Sequence, residues 1–145
     1  MLSSMAANEV FLDTSGFLAL WDAGDEHHER AVRLQRDLAR KKFRFTTSDY
    51  VLDETITLLL IRHSHAAAKD FLRTITSSPS LTLQWIDSDR FQAAAELFVL
   101  HDDKKWSFTD CVSFALMHEL SIKDSFTTDH HFRQAGFNTL LKQSE

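Results

Sequence analysis

Cysteine, proline and glycine are all scarce in this chain. Its 145 residues hold one Cys, one Pro and three Gly. The lone Cys111 excludes an intramolecular disulfide and fits a reducing compartment such as the cytoplasm. So little Pro and Gly argues against a disordered or low-complexity chain. No apolar run approaches the roughly 18 to 20 residues that span a bilayer, so no membrane association is expected. Residues 1–8 lack a basic region and an apolar stretch, which predicts no signal peptide. Basic excess is also missing. Sixteen Lys and Arg against twenty-one Asp and Glu leave a net charge of −5. That balance argues against a general nucleic-acid binder, whose footprint is basic. A carboxylate cluster holding divalent cations would reverse it locally.

Phe is plentiful, at twelve, and predicts an aromatic core. The length suits one domain over residues 1–145, with 1–8 as a loose extension. Three apolar residues, Val10, Phe11 and Leu12, run straight into Asp13, Thr14, Ser15 and Gly16. This predicts a buried strand over 10–13, a turn, and a short helix over 15–21. Gly24 breaks the pattern, and a long helix is expected over 26–42. Its apolar face is Ala31, Leu34 and Leu38. Arg33, Arg36 and Arg40 belong to the opposite side.

A strand over 43–47 leads to Ser48 as the cap of a buried helix over 49–62, with Leu59 and Leu60 inside. A helix over 65–75, a Ser-rich turn and a strand over 81–86 follow. The next helix carries Phe91, Ala94, Ala95 and Phe98. Ser107 and Asp110 then form a capping-box pattern ahead of an almost wholly apolar helix. A strand end at 125–127, a short helix from Asp129 to Gln134, a stop at Gly136 and a last strand over 137–141 complete the chain. Strands alternating with helices predict an α/β fold. It would be one three-layer domain whose mostly parallel sheet of four to five strands is flanked by helices.

Four acids stand out: Asp13, Glu54, Asp110 and Asp129. Parallel strands bring their carboxyl ends to one sheet edge, and the following helices begin there. Asp13, Glu54 and Asp129 belong on that edge by topology. Asp110 follows a loop, so topology alone does not bring it there. Each acid also has a purely structural role open to it. Asp13 and Asp129 could cap helices, Asp110 could serve a capping box, and Glu54 could pair with Arg44 or Arg62. Carboxylates in apolar surroundings need a partner or a metal. A shared Mg²⁺ or Mn²⁺ would meet that need, since hard cations take oxygen ligands. Crowded carboxylates should push at least one pKa upward. The pairs His27–His28 and His130–His131, with His63 and His65, are expected as surface residues or incidental metal binders, because adjacent residues on a helix diverge by about 100° and rarely chelate one ion. Cys111 reads as a buried thiol. Trp21 and Trp106 read as packing residues that could stack on a base near the site's mouth.

The stretches Phe11-Leu12-Asp13-Thr14-Ser15, Leu52-Asp53-Glu54-Thr55, Ser107-Phe108-Thr109-Asp110-Cys111 and Phe126-Thr127-Thr128-Asp129 through Gly136-Phe137 resemble the PIN-domain ribonucleases. In size the chain is similar to the VapC-type toxins of toxin–antitoxin pairs. The resemblance implies a PIN-like fold and hydrolysis of RNA phosphodiesters assisted by one or two Mg²⁺ or Mn²⁺ ions, with Asp13 and Asp110 as main ligands. It matches Asp13, Glu54, Asp110 and Asp129 to the family's four acidic positions, with Thr14 and Thr109 as hydroxyls beside them. It also implies a cognate antitoxin and a homodimer, in which Arg33 and Arg40 would offer phosphate contacts. Two other readings stay open: a PIN-like module that binds RNA or protein without cutting, and an α/β phosphotransfer protein with Asp13 as nucleophile.

Overall fold

The computed structural model describes residues 8–141. Most of the expected N-terminal extension, residues 1–7, lies outside the described residues. At the centre stands β1 (Glu9–Leu12), whose Val10, Phe11 and Leu12 are all buried. A strand apolar on both faces needs a strand on each side and helices above and below. The chain supplies them in order. Helices α1 (Thr14–Trp21) and α2 (His28–Arg40) lead to β2 (Arg44–Ser48). Helices α3 (Asp49–Arg62) and α4 (His65–Thr76) lead to β3 (Leu81–Gln84). Helices α5 (Ser88–Leu100) and α6 (Phe108–Leu120) lead to β4 (Asp124–Phe126), and α7 (His130–Gln134) leads to β5 (Asn138–Thr139).

The sheet order is β3-β2-β1-β4-β5 and every pairing is parallel. The register sets Phe11 beside Thr46 on one flank and Ser125 on the other. The chain builds outward from β1 to β3, then crosses back to β4 on the other side of β1. Strand order therefore reverses between β1 and β4, and ligands of open α/β sheets bind beyond such a point. Asp13 follows β1, and Asp129 follows β4 by three residues.

The Phe-rich core divides into two aromatic groups. Phe17, Trp21 and Phe71 meet edge to face among α1 and α4. Phe114 meets Trp106, Phe132 and Phe137 around α6 and α7. Helices α1 to α4 pack as one set, and α6 packs with α5 and α7 as another. Two helix layers around one sheet is the arrangement that right-handed crossovers require.

Some expectations shift. Leu60 is 47% exposed, because the buried stripe of α3 runs through Val51, Leu52, Thr55 and Leu59 instead. Phe91 and Phe98 lie half-exposed over Phe108 rather than in the core. The last strand shrinks to two residues after Gly136, whose φ of +97° turns the chain out of α7.

Candidate active site

Asp13 stands at the N-cap of α1, yet its side chain makes no cap bond. Its Oδ2 instead accepts from Thr127 Oγ1 at 2.8 Å and Ser15 Oγ at 3.1 Å. Thr127 follows β4, so these bonds tie the ends of the two strands at the reversal point. Gly16 makes this possible. A β-carbon there would lie 2.1 Å from the Phe126 carbonyl oxygen, so only Gly lets α1 sit so close to β4.

The other acids arrive by separate routes. Asp110 completes a capping box with Ser107: the Ser107 N–H donates to Asp110 Oδ2 and the Asp110 N–H donates to Ser107 Oγ, both at 3.0 Å. Asp129 caps α7, its Oδ1 accepting from the His131 N–H at 2.9 Å. Glu54 rises from the second turn of α3, and its Oε1 accepts from Thr14 Oγ1 at 2.8 Å. Neither Arg44 nor Arg62 is its partner. All four acids line one open cleft of about 460 Å³, together with Thr14, Lys105 and Arg62. Caps and cleft members are thus the same residues for Asp110 and Asp129.

Burial gives the cluster its electrostatics. Asp13 is only 4% exposed and its carboxyl is pushed up from 3.8 to about 7. Loss of solvent is the main cause, and the charges of Asp110 and Asp129 add to it. Thr127's hydrogen bond works the other way. The Asp110 carboxyl is also raised, by burial and by Asp129, against the opposing pull of Ser107 and His131. Buried, mutually repelling carboxyls facing an open cleft suit an oxygen-seeking divalent cation, so the residues fit Mg²⁺ or Mn²⁺.

The remaining candidates divide between the cleft and other parts of the surface. Thr109 is half-buried beside Asp110 but does not line the cleft. Arg33 and Arg40 line a different groove, along the flank of α2 with Arg30, Arg36 and Leu140. Trp21 is locked against Phe17 and Phe71, and Trp106 is buried with its N–H on Gln134, so neither reaches the mouth. His131 is no bystander at the surface. Its Nδ1 lies 3.1 Å from Asp110 Oδ2 and 3.3 Å from Asp129 Oδ1. Sequence reasoning named Asp129 as a possible cap of this helix but judged His130 and His131 as a pair, and missed that His131 alone faces both Asp110 and Asp129. Ser15 and Thr127 were also passed over as Asp13's partners. Cys111 is buried as expected, its thiol pushed up to about 11 by burial. A second cavity of about 460 Å³, between α1, α2 and β3, is lined by residues such as Leu12, Phe17, Val32 and Ile75 and holds no ionisable group.

The PIN domain family matches residues 10–138, nearly the whole described chain. The chain belongs to the PIN domain family. This PIN domain is 38% identical over 128 residues to the 23S rRNA-specific endonuclease VapC20 of Mycobacterium tuberculosis, covering 88% of the chain and 95% of the relative. It is 29% identical over 116 residues to a VapC ribonuclease of Archaeoglobus fulgidus, covering 79% of the chain and 73% of the relative. The crystal structure of Mycobacterium tuberculosis VapC20, described as a sarcin–ricin loop cleaving toxin, superimposes with a TM-score of 0.81 over 88% of this chain and 95% of that one.

Proposed function

We propose that this PIN domain is a divalent-metal-dependent endoribonuclease and the toxin of a toxin–antitoxin pair. The convergence of Asp13, Glu54, Asp110 and Asp129 on one cleft carries this reading. The similarity to VapC20 over most of both chains supports it and suggests the sarcin–ricin loop of 23S rRNA as the substrate to try first.

Asp13 and Asp110 would hold the ion, with Glu54 and Asp129 completing the set. Bound there, Mg²⁺ or Mn²⁺ would supply Lewis acidity at the phosphate and acidify a water molecule. The chain's own residues do the rest. Thr127 and Ser15 fix the Asp13 carboxylate, and Thr14 fixes Glu54, so the oxygens need little rearrangement when the substrate binds. Glu54 is the carboxylate best free to orient the attacking water, since Thr14 is its one hydrogen-bond partner among the described residues. Lys105 and Arg62 line the same cleft and offset phosphate charge in a chain whose net charge repels RNA. The groove of Arg33 and Arg40 would hold RNA backbone away from the reacting bond.

Partners follow from the same reading: an antitoxin that blocks the cleft, and a second copy of the chain. Apolar side chains left in solvent on α5, among them Phe98, Val99 and Leu100, give a second copy surface to bury. We place the work in the cytoplasm, where the RNA and a free thiol both belong. No helix among the described residues is long and apolar enough to cross a membrane.

The test is cleavage of ribosomal RNA by the purified chain with Mg²⁺, Mn²⁺ or EDTA, beside Asp13→Asn. A discrete cut that needs the metal and disappears in the variant is expected. Equal cutting by both proteins, or cutting in EDTA, would refute the reading.

A further inference from the structure

We infer that His131 is itself a ligand of the bound ion, making this a mixed imidazole–carboxylate site that takes Mn²⁺ in preference to Mg²⁺. The inference rests on the reading that the acids bind a divalent cation.

Spacing comes first. His131 Nδ1 lies 3.1 Å from Asp110 Oδ2 and 3.3 Å from Asp129 Oδ1. Two ligand atoms bound side by side to one ion at about 2.1 Å in an octahedron stand roughly 3 Å apart. The imidazole nitrogen already keeps about that distance to each of the two carboxylate oxygens. Asp129, His130 and His131 also bring one ligand atom each within 4.8 Å of one another.

The ring is held rather than loose. Asp129 Oδ1 accepts the His131 backbone N–H at 2.9 Å, which fixes the first turn of α7. The His131 side chain is 21% exposed, and its ring sits 4.4 Å from that of His130. His130 is the weaker candidate. Its Nδ1 stands 3.8 Å from Asp129 Oδ1 and its side chain is 60% exposed.

Chemistry then selects the ion. With no ion bound, Nδ1 facing two carboxylates must act as a donor. Binding an ion requires the ring proton on Nε2, so that the Nδ1 lone pair faces the metal. Mg²⁺ favours oxygen ligands and retains its waters, whereas Mn²⁺ takes the same carboxylates but, as a transition ion, binds an imidazole nitrogen more readily than Mg²⁺ does. A site of four carboxylates alone discriminates less between the two ions. One imidazole among them favours Mn²⁺, and it adds a ligand without adding negative charge.

The competing role is positioning only, with His131 donating to Asp110 and never touching the ion. Calorimetric titration of the full chain with MnCl₂ and with MgCl₂ separates the two, using wild type, His131→Gln, His130→Gln and Asp13→Asn. Pulsed electron paramagnetic resonance on the Mn²⁺-loaded proteins reads nitrogen coupling directly. We expect nitrogen coupling in wild type and His130→Gln and none in His131→Gln. Mn²⁺ affinity should fall about tenfold or more in His131→Gln while Mg²⁺ affinity changes little. Mn²⁺ bound by wild type without nitrogen coupling would overturn the inference, and so would equal losses for both ions in His131→Gln. Either result leaves the metal-dependent nuclease standing if Asp13→Asn abolishes binding and cleavage. Failure of wild type to bind either ion would overturn both.

Discussion

Thr127 Oγ1 donates to Asp13 Oδ2 at 2.8 Å, joining residues 114 positions apart. The same hydroxyl oxygen accepts the Asp129 N–H at 2.9 Å. One side chain therefore holds two acids in relation to each other. Thr127→Val keeps the shape and removes both bonds, leaving a buried carboxyl one donor short. A loss of about 1–3 kcal/mol in folding stability is expected, with cleavage reduced at constant RNA binding. Urea unfolding and single-turnover kinetics check this. A variant as active as wild type would show that Thr127 only fills space.

Asp13→Asn should separate stability from activity. The folded Asp13 carboxyl is raised to about 7 from an unfolded value near 3.8. Between those values the folded protein keeps a proton that the unfolded chain has released. Stability of the ion-free wild type therefore falls as pH rises from about 4 to about 7. The variant lacks that carboxyl and escapes the loss. In EDTA it should be more stable than wild type by up to roughly 4 kcal/mol at pH 8, with the gap closing toward pH 4. Denaturation midpoints across that range decide the matter, and a gap independent of pH would contradict the assignment.

Gly16→Ala tests the approach of α1 to β4. The added carbon would meet the Phe126 carbonyl oxygen at 2.1 Å and its ring at 2.7 Å. Backbone cannot move aside as a side chain can. A cost of about 1–3 kcal/mol or more is expected, with cleavage lost as Asp13 and Thr127 part. Thermal unfolding and the cleavage assay measure the two effects. An undisturbed melting temperature would mean that the helix and strand separate at no cost.

Arg33→Ala with Arg40→Ala should alter RNA binding and little else. Both side chains are exposed, and the pair between Arg40 and Asp37 is a surface one worth less than about 1 kcal/mol. If each arginine meets one phosphate, the slope of log affinity against log salt should shrink by about 2. Cleavage at saturating RNA should stay unchanged. An unaltered salt slope would return this groove to the solvated surface.

The sheet was legible because its signals are local and strong. Val10-Phe11-Leu12 ahead of an Asp, Ser48 and Ser107 as caps, and Gly136 as a stop each state their role within a few residues. Asp13, Glu54 and Asp129 were legible for a related reason: topology sends whatever follows a parallel strand to the same edge. Asp110 follows a loop, and only its capping-box pattern and the family resemblance marked it. What escaped was lateral. Nothing near Thr127 in the sequence says that it reaches Asp13, and nothing near His131 says that it faces Asp110. Such partners depend on how closely α1 and α7 approach β4, which Gly16 permits but does not announce. The arginines of α2 show the opposite limit. Their spacing correctly predicts one basic flank, but helical periodicity says nothing about where that flank lies relative to the acids.

Asp110 Oδ2 accepts the Ser107 N–H that begins α6 and also faces His131. A single oxygen belongs to the helix start and to the cleft. A lineage that silences the enzyme by discarding this acid also gives up one of the two reciprocal bonds that start α6. Asp13 offers the opposite opportunity, since its loss relieves the ion-free fold. Descendants that retain the fold but no longer cut RNA should therefore be found with Asp110 intact and Asp13 replaced.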